Sequence, residues 1–248
     1  MIVGVISSLN SLKYCCLILT KNEENTISPL LSEVKQRFRS LGLGEPDFVV
    51  SDDSTDRTSE LAAAEGAYVV SGGNQGLGRA YVCGLKKCCE LGPDRILVLD
   101  GDGQADLNDL TSFIHAMDFE NVDLVTGSRF FDTDSVSYDY PYVNRMGTRI
   151  LSTYLSWMTG QRFTDSHGGL RLMTGALAKQ QKIYGRHTYV QESIVDAFQK
   201  GFKIVEIPSL WRKRAHGESR VVSSVFRYAR RTLPYLIFRM AEGVFKTK

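Results

Sequence analysis

Short apolar runs alternate along the chain with longer stretches in which apolar residues recur every three or four positions. The runs predict buried strands, and the longer stretches predict amphipathic helices. Predicted strands cover residues 14–19, 48–50, 67–71, 96–99, 122–125 and 203–207. Predicted helices cover residues 27 to about 42, 59–65, 79–91, 106–117, 144–158 and 189–200. This alternation predicts an α/β fold with a mostly parallel central sheet flanked by helices.

Polar segments connect the later elements of this pattern. Residues 132–142 are rich in Asp, Ser and Tyr and predict a mobile loop, and residues 164–171 predict a polar turn. Residues 212–220 predict a basic loop that can clamp phosphates. The helix predicted over residues 144–158 has an apolar face made of Ile150, Leu151, Tyr154, Leu155 and Met158.

Two aspartates stand directly after the strand predicted at residues 96–99. Asp100 and Asp102 are separated by Gly101, so their carboxylates can converge on one hard divalent cation, and Gln104 adds a neutral oxygen. Mg²⁺ or Mn²⁺ bound by so few protein ligands keeps open positions for the phosphate oxygens of a nucleotide. An isolated Asp-Gly-Asp-Gly can also be an ordinary surface turn. Its place at the end of a buried strand, where ligands bind in open α/β sheets, favours the metal site.

Two common nucleotide-binding motifs are excluded. The glycine-rich segment 72–78 follows the third predicted strand instead of the first and contains no clean G-x-G-x-x-G, so it does not predict a dinucleotide site. The chain also contains no G-x-x-x-x-G-K-[ST], which excludes a P-loop ATPase.

The C-terminal end differs from the body in charge. From Arg212 onwards lie ten of the 30 Lys and Arg residues but only two of the 28 Asp and Glu residues. Residues 221–248 combine helical apolar spacing with arginines off that stripe, and Pro234 is expected to kink or divide the helix. We therefore expect a domain over residues 1–220 and a basic amphipathic tail over 221–248 that contacts an anionic membrane surface. Packing of the tail on the body or on a partner is the alternative.

Cysteine usage and hydropathy bear on location. The five cysteines are odd in number, lack zinc-ligand spacing and lie in apolar segments, which predicts reduced thiols. No window approaches about eighteen uninterrupted apolar residues, and the N-terminus lacks the pattern of a signal peptide. We expect a cytoplasmic protein, peripheral on the cytosolic face of a membrane. Nucleic-acid binding is not predicted, because only the charge of the tail would support it.

Seven motifs in consistent order, from Tyr14 to Arg220, resemble the family 2 glycosyltransferases, and within them the dolichyl-phosphate mannose synthase-like branch. Thr20-Lys21-Asn22-Glu23 resembles P-x-x-N-E; Asp52 to Thr58 resembles D-D-G-S-x-D-G-T; Asn74 to Ala80 resembles N-x-G-x-G-x-A; Asp100, Asp102 and Gln104 fall on D-x-D-x-Q. Gly127-Ser128-Arg129-Phe130 resembles G-S-R-[YF]; Asp165 to Arg171 resembles D-x-x-S-G-[FL]-R; Glu206-Ile207-Pro208 with Arg214 to Arg220 resembles E-[IV]-P…R-x-x-G-x-S-[KR].

The chain departs from these motifs at a few positions. Thr20 replaces the opening proline, Ser51 stands where the first aspartate of D-D-G-S is usual, and Asp53 takes the glycine position. His167-Gly168 replaces the x-Ser of the D-x-x-S-G-[FL]-R turn. These departures bear on base and acceptor preference more than on the class.

The resemblance implies a GT-A-type fold and inverting, metal-dependent transfer of a sugar from GDP-mannose or a UDP-hexose to a dolichyl or undecaprenyl phosphate. It implies a metal site at Asp100, Asp102 and Gln104. Implied nucleotide-sugar-binding residues are Thr20, Asn22, Glu23, Asp52, Asp53, Gly76, Arg79, Asp100, Gly101 and Arg220. Members of this family often carry transmembrane helices after the catalytic domain. Since none is evident here, the chain is expected to be peripheral or recruited by a membrane-anchoring subunit.

Asp102, Arg129, Arg214 and Asp165 are the residues expected to act in catalysis. Arg129, Arg214 and Arg220 can neutralise phosphates; solvated surface arginines are the alternative. A lipid phosphate is already anionic and needs no general base, whereas a hydroxyl acceptor would need one. Asp165 and Glu192 are best placed by motif for that role, although each can equally be a helix cap or a structural ion-pair partner. His115, His167, His187 and His216 lack metal-binding spacing and are expected to be non-catalytic.

Three alternatives to this function stay open. The first is a glycosyltransferase that acts on a soluble glycan or a protein hydroxyl. A sugar-1-phosphate nucleotidylyltransferase would show a basic glycine-rich loop after the first strand, which residues 20–23 are not. A non-catalytic nucleotide-sugar binding module has less need of the complete set Asp100, Asp102 and Gln104.

Overall fold

The computed structural model describes residues 12–131, 136 and 140–214. They form a seven-stranded sheet with strand order β3-β2-β1-β4-β6-β5-β7. The strands are β1 (Tyr14–Thr20), β2 (Asp47–Asp52), β3 (Tyr68–Val70), β4 (Arg95–Asp100), β5 (Leu124–Ser128), β6 (Arg171–Thr174) and β7 (Ile204–Pro208). The helices are α1 (Ile27–Ser40), α2 (Thr58–Ala64), α3 (Leu77–Leu91), α4 (Leu110–Phe119), α5 (Tyr142–Thr159), α6 (Gly175–Ala178) and α7 (Tyr189–Gln199), and a 3₁₀ turn, Leu107–Asp109, precedes α4.

The sheet is parallel except at β6. This strand runs antiparallel to both of its neighbours, β4 and β5, while the other pairings are parallel. The predicted α/β fold with a mostly parallel sheet is therefore confirmed. The sequence analysis missed β6, because its four residues are too short to show a period and the first of them, Arg171, was assigned to the polar turn predicted over residues 164–171.

Both faces of the sheet are covered by helices. Cys16 and Ile18 of β1 point into the core beneath α1 and α4, whereas Cys15 and Leu17 point into the core beneath α3 and α7. This alternation follows from the two-residue side-chain period of a strand that is buried on both faces. All five cysteines are unpaired and none is exposed, as expected of small apolar residues in such segments.

Helix α5 is buried on an unexpected face. Of its predicted apolar face only Leu155 is fully buried, and Ile150 is 62% exposed. The buried side chains are Thr148, Ser152, Leu155 and Thr159. Small polar residues face inwards because the helix packs on the turn at residues 164–167, where Ser166 N–H donates to Ser152 Oγ (2.8 Å) and Ser166 Oγ donates to the Thr148 carbonyl (3.2 Å).

Within residues 12–131, 136 and 140–214, no helix has the length and hydropathy to cross a bilayer. The predicted tail at 221–248, the domain boundary after residue 220, Arg220 and His216 lie outside the described residues.

Candidate active site

Three polar strand ends meet at the carboxyl edge of the sheet. Thr20 at the end of β1 pairs with Asp52 at the end of β2, and Leu19 pairs with Asp100 at the end of β4. Gly101 lies so close to Thr20 that a Cβ at this glycine would approach Thr20 Cγ2 to 2.4 Å. The parallel register therefore places the predicted nucleotide and metal motifs beside each other.

The Asp52 carboxylate organises the loop that follows β2. It is buried, and it accepts hydrogen bonds from Thr20 Oγ1 (2.7 Å) and from the hydroxyls of Ser54 and Ser59. Since both of its oxygens accept hydrogen bonds from neighbouring side chains, Asp52 fixes the shape of the loops after β1 and β2, which form one rim of the site.

Two further predicted residues belong to the same rim. Asn22 has a positive φ of 53°, and its side-chain oxygen accepts from Thr55 N–H (2.9 Å) while its own N–H donates to Ser54 Oγ (2.6 Å). Asp53 is buried and accepts from Ser71 Oγ at the end of β3 (2.7 Å). These contacts tie the loops after β1, β2 and β3 into one wall.

Gly76 and Arg79 lie at the start of α3, against a segment that the sequence analysis did not single out. Gly78 N–H donates to the Arg186 carbonyl (2.9 Å), and a Cβ at Gly78 would come within 1.9 Å of the Gly185 carbonyl oxygen. A cleft of about 400 Å³ opens here and is lined by residues that include Gln75, Arg79, Val82, Ile183, Tyr184 and Arg186.

Asp100, which is half-buried, and Asp102, which is buried, form an acidic pair. Asp100 accepts from the Tyr189 hydroxyl (3.4 Å), and a Cβ at Gly169 would overlap its Oδ2 atom at 2.2 Å. Burial, with the nearby charge of Asp102, raises the pKa of Asp100 to about 6. Burial also raises the pKa of Asp102, although the charge of Arg214 works against this rise. The absence of a side chain at Gly169 leaves Asp100 the space it occupies.

Arg214 brings positive charge to this pair. Its guanidinium lies 2.5 Å from Asp102 Oδ2 and 3.6 Å from Glu23 Oε1. Arg214 is therefore not a purely solvated surface residue, and Glu23 of the first motif is within its reach. The arrangement can balance negative charge on Asp102 or on a phosphate bound beside it.

Gln104 closes the turn that carries the acidic pair. Its backbone N–H donates to Asp102 Oδ1 (3.1 Å), and its side-chain Nε2 donates to the Arg212 carbonyl (3.0 Å). Arg212 N–H in turn donates to the Gln104 carbonyl (2.7 Å). Gln104 thus fastens the segment before Arg214 to the turn at Asp102, and its role as a metal ligand stays a prediction.

Arg129 and Asp165 form a buried, two-pronged ion pair. Arg129 Nε donates to Asp165 Oδ2 (2.6 Å) and Nη2 donates to Oδ1 (2.8 Å); the Arg129 side chain is 7% exposed and that of Asp165 is 0% exposed. Burial alone would raise the pKa of Asp165, but the Arg129 charge and hydrogen bonds outweigh it and lower that pKa. This geometry favours the structural ion-pair role of Asp165 over that of a base.

Aromatic rings surround the Arg129 guanidinium. Its Cζ lies 5.0 Å from the ring centroids of Tyr140 and Trp211 and 5.3 Å from that of Phe130. The Arg129 side chain is thus largely shielded from water, which strengthens cation–π contacts. Trp211 was missed by the sequence analysis, although it directly precedes the predicted basic loop.

Glu206 and Glu192 each hold a backbone turn. Glu206 Oε1 accepts from Asp165 N–H (2.9 Å) and Oε2 accepts from Thr164 N–H (2.7 Å). Glu192 accepts from the backbone N–H groups of Tyr184 and Gly185 (both 2.8 Å). The sequence motif singled out Glu206 but did not show that it binds the backbone of the turn at residues 164–165. The contacts of Glu192 favour a structural role over that of a general base.

The acidic pair suits a hard divalent cation. These two carboxylates have raised pKa values and carry charge that such an ion would neutralise, and their oxygens are the ligands that Mg²⁺ and Mn²⁺ prefer. In the part of the chain that the structure describes, no group of three or more His, Cys, Asp or Glu side chains could hold a metal by itself.

The fold, with its acidic pair at the end of β4, defines the chain as a GT-A-type glycosyltransferase. Residues 15–179 match the model of Glycosyl transferase family 2, and the chain belongs to this family. It is a hexosyltransferase.

Known proteins resemble this chain over most of its length. It is 33% identical over 210 residues to an uncharacterized protein of Methanocaldococcus jannaschii (82% of this chain, 83% of the relative). It is 27% identical over 204 residues to a dolichyl-phosphate hexose transferase of Haloferax volcanii (82% of this chain, 83% of the relative). In fold it resembles glucosyl-3-phosphoglycerate synthase of Mycobacterium tuberculosis, solved with Mn²⁺, UDP and glucosyl-3-phosphoglycerate (TM-score 0.70, 18% identity, 96% of this chain and 84% of that one).

Proposed function

We propose that this glycosyltransferase moves a hexose from a nucleotide-diphosphate sugar to a polyprenyl phosphate, with inversion at the anomeric carbon. The observation that carries the proposal is that the two candidate bases, Asp165 and Glu192, already bind other groups of the protein. Both oxygens of Asp165 accept from Arg129, and Glu192 is buried and holds the backbone at residues 184–185. A phosphate acceptor fits such a site, because it is already anionic and needs no proton removed.

On the donor side, Asp100 and Asp102 would hold Mg²⁺ or Mn²⁺. The metal would supply Lewis-acid stabilisation of the leaving diphosphate. Arg214, 2.5 Å from Asp102, is placed to share a bound phosphate with that pair. The rim formed by Thr20, Asn22, Asp52 and Asp53 would receive the nucleoside, and Gln104 would keep the turn at Asp102 in position.

On the acceptor side, Arg129 would attract the lipid phosphate. Asp165 fixes its guanidinium plane, and the rings of Tyr140 and Trp211 exclude water around it. Asp165 occupies Nε and Nη2 of Arg129, so Nη1, which lies 3.4 Å from the Tyr140 hydroxyl, would make the contact with the phosphate.

Two relatives lend support. The Haloferax volcanii relative is named for transfer to dolichyl phosphate, and the structurally similar synthase binds UDP with Mn²⁺. We further propose that the chain works as a peripheral protein on the cytosolic face of a membrane, through its basic tail or through a membrane-anchoring subunit.

Transfer of radiolabelled sugar tests the proposal. GDP- and UDP-hexoses are offered with a short polyprenyl phosphate or with a soluble hydroxyl acceptor such as 3-phosphoglycerate, in Mg²⁺, Mn²⁺ or EDTA. We expect metal-dependent, organic-extractable product that falls by about a hundredfold or more in Asp102→Asn. Glu90→Gln, which alters a half-exposed carboxylate paired with Lys87, is the matched control and should keep full activity.

Other outcomes would redirect the assignment. Product formed only on the hydroxyl acceptor would retain the enzyme class but remove the lipid acceptor. Nucleotide-sugar binding without transfer to any acceptor would favour the non-catalytic binding module.

A further inference from the structure

Helix α5 exposes a stripe of large apolar side chains. Ten such side chains are exposed among the residues that the structure describes, and half of them belong to this one helix. They are Tyr142 (72%), Val143 (61%), Met146 (40%), Ile150 (62%) and Trp157 (68%). Single exposed apolar residues are ordinary, but a contiguous set on one helix marks a contact surface.

The stripe lies opposite the buried face of the helix. At 3.6 residues per turn its five members fall within a sector about 100° wide, while Thr148, Ser152, Leu155 and Thr159 point to the other side. Hydrogen bonds from Ser166 to the inner face fix this orientation. The helix therefore cannot bury its stripe by rotating without breaking those bonds.

Basic residues flank the stripe, and acidic residues are absent from the helix sequence. Arg145 and Arg149 are both exposed and lie on the sector next to Tyr142, and α5 contains no Asp or Glu. Symmetric packing of two copies through this face would bring these arginines towards each other without carboxylates to pair with them. An anionic bilayer instead complements the whole surface, because its headgroups can pair with the arginines and its acyl chains can receive the apolar stripe. Trp157 and Tyr142 are also residue types that are enriched at membrane interfaces.

The stripe is also continuous with the wall of the site. The Arg145 guanidinium lies 5.3 Å from the Phe130 ring centroid, and Phe130 packs edge-on against Tyr140 with ring centroids 5.5 Å apart. Tyr140 in turn covers Arg129. A surface that receives the first turn of α5 therefore lies next to the proposed acceptor position.

We propose that α5 is a membrane-docking helix, whose stripe of Tyr142, Val143, Met146, Ile150 and Trp157 enters the interface of an anionic bilayer. This inference rests on the proposed function only for its purpose, which is to present the site to a lipid-borne acceptor. Docking in this orientation brings the headgroup layer to the side of the site where Arg129 lies.

Vesicle binding by the full chain tests the proposal. Vesicles are made of phosphatidylcholine alone or mixed with phosphatidylglycerol, both without polyprenyl phosphate. Trp157 is one of two tryptophans, and the other, Trp211, is only 4% exposed, so a change in emission on binding reports chiefly on α5. We expect co-sedimentation and a blue shift with the anionic vesicles.

The test variant is Val143→Ser with Ile150→Ser, which keeps Trp157. We expect vesicle affinity to fall by about tenfold or more and the blue shift to disappear. The matched control is Tyr68→Ser with Phe119→Ser, two exposed residues away from α5, and should bind as the wild type does. All four positions are exposed, so circular dichroism and thermal melting should be unchanged.

Three results would overturn the proposal. The first is wild-type vesicle binding by the α5 variant, and the second is sedimentation with vesicles without any change in Trp157 emission, which would assign binding to another segment. The third is a dimer that the α5 variant dissociates, without vesicle binding by the wild type. Normal vesicle binding together with a failure to glycosylate polyprenyl phosphate would instead overturn the proposed function alone.

Discussion

At the scale of single residues, the site is governed by how each buried charge is paired. Arg129 and Asp165 neutralise each other through two short hydrogen bonds, and Arg214 partly neutralises Asp102. Burial and the charge of Asp102 raise the pKa of Asp100 to about 6, and the charges of Arg171 and Arg214 offset this rise only in part. The less compensated charge thus lies where a divalent cation is expected, and the compensated pair supports the wall beside it.

Breaking the compensated pair should destabilise the fold. Asp165→Asn leaves the Arg129 charge buried without its counter-ion, and we expect the free energy of unfolding to fall by about 3–5 kcal/mol. Urea unfolding at pH 7 measures this loss. Glu60→Gln, in an exposed pair with Arg57, is the control and should leave stability unchanged. Unaltered stability of Asp165→Asn together with a collapse of transfer activity would restore Asp165 as a catalytic base.

His167 should make stability depend on pH. Burial, with the Arg129 charge, lowers the pKa of His167 to about 4, whereas the unfolded chain protonates this residue near 6.5. Because the folded pKa is the lower one, His167 contributes stability above pH 6.5 that is lost as the pH falls towards 4. Between pH 7 and pH 4.5 we expect the wild type to lose about 2 kcal/mol more than His167→Gln. Parallel loss in urea titrations of both proteins would contradict this assignment.

At the scale of elements, helices are positioned by close backbone contacts and by polar inner faces. The first turn of α3 approaches the segment at Gly185 so closely that only glycine fits at position 78. Apart from Leu155, helix α5 faces the interior with hydroxyl side chains, so five of its large apolar residues lie outside. These two contacts decide where the cleft at Arg79 and the exposed stripe are found.

Gly78→Ala should disrupt the contact between α3 and the 184–186 segment. The new methyl group would lie 1.9 Å from the Gly185 carbonyl oxygen, and both backbones would have to separate. We expect a net loss of about 1–3 kcal/mol in urea unfolding, even though alanine is the better helix former. Gly44→Ala meets nothing within 4 Å and serves as the control. Equal stability of the two variants would contradict this prediction and show that the 184–186 segment moves at little cost to accommodate the methyl group.

At the scale of the whole molecule, the loops after β1, β2 and β4 form one surface because the sheet sets their spacing. A ligand that bridges them should therefore stabilise the entire domain. At about a hundredfold excess over Kd, a nucleoside diphosphate with Mn²⁺ should add about 2.7 kcal/mol, which corresponds to a rise in Tm of about 5–10 °C. Differential scanning fluorimetry with GDP and UDP measures this shift and separates the two bases.

Asp102→Asn tests the role of the acidic pair in that shift. We expect the Mn²⁺-dependent part of the rise in Tm to disappear while the melting of the unliganded protein changes little, because the Arg214 side chain is 22% exposed and water can solvate it when the charge of Asp102 is removed. A full Mn²⁺-dependent shift in this variant would move the metal site away from Asp102.

The sequence by itself determined the class, the order of most elements and the location of the acidic pair. Strands followed from short apolar runs and helices from apolar residues every three or four positions, which are local properties of the chain. The Asp100 and Asp102 pair followed from its position after an apolar run.

Only the tertiary structure decided which side chains pair and which face outwards. Four features depend on segments that are distant in sequence. They are the antiparallel pairing of β6, the ion pair between Arg129 and Asp165, the hydrogen bond from Tyr189 to Asp100, and the outward stripe of α5. Local pattern cannot distinguish an apolar face that meets the core from one that meets another surface, because both have the same period. What lies opposite each face is set by the packing of the whole molecule.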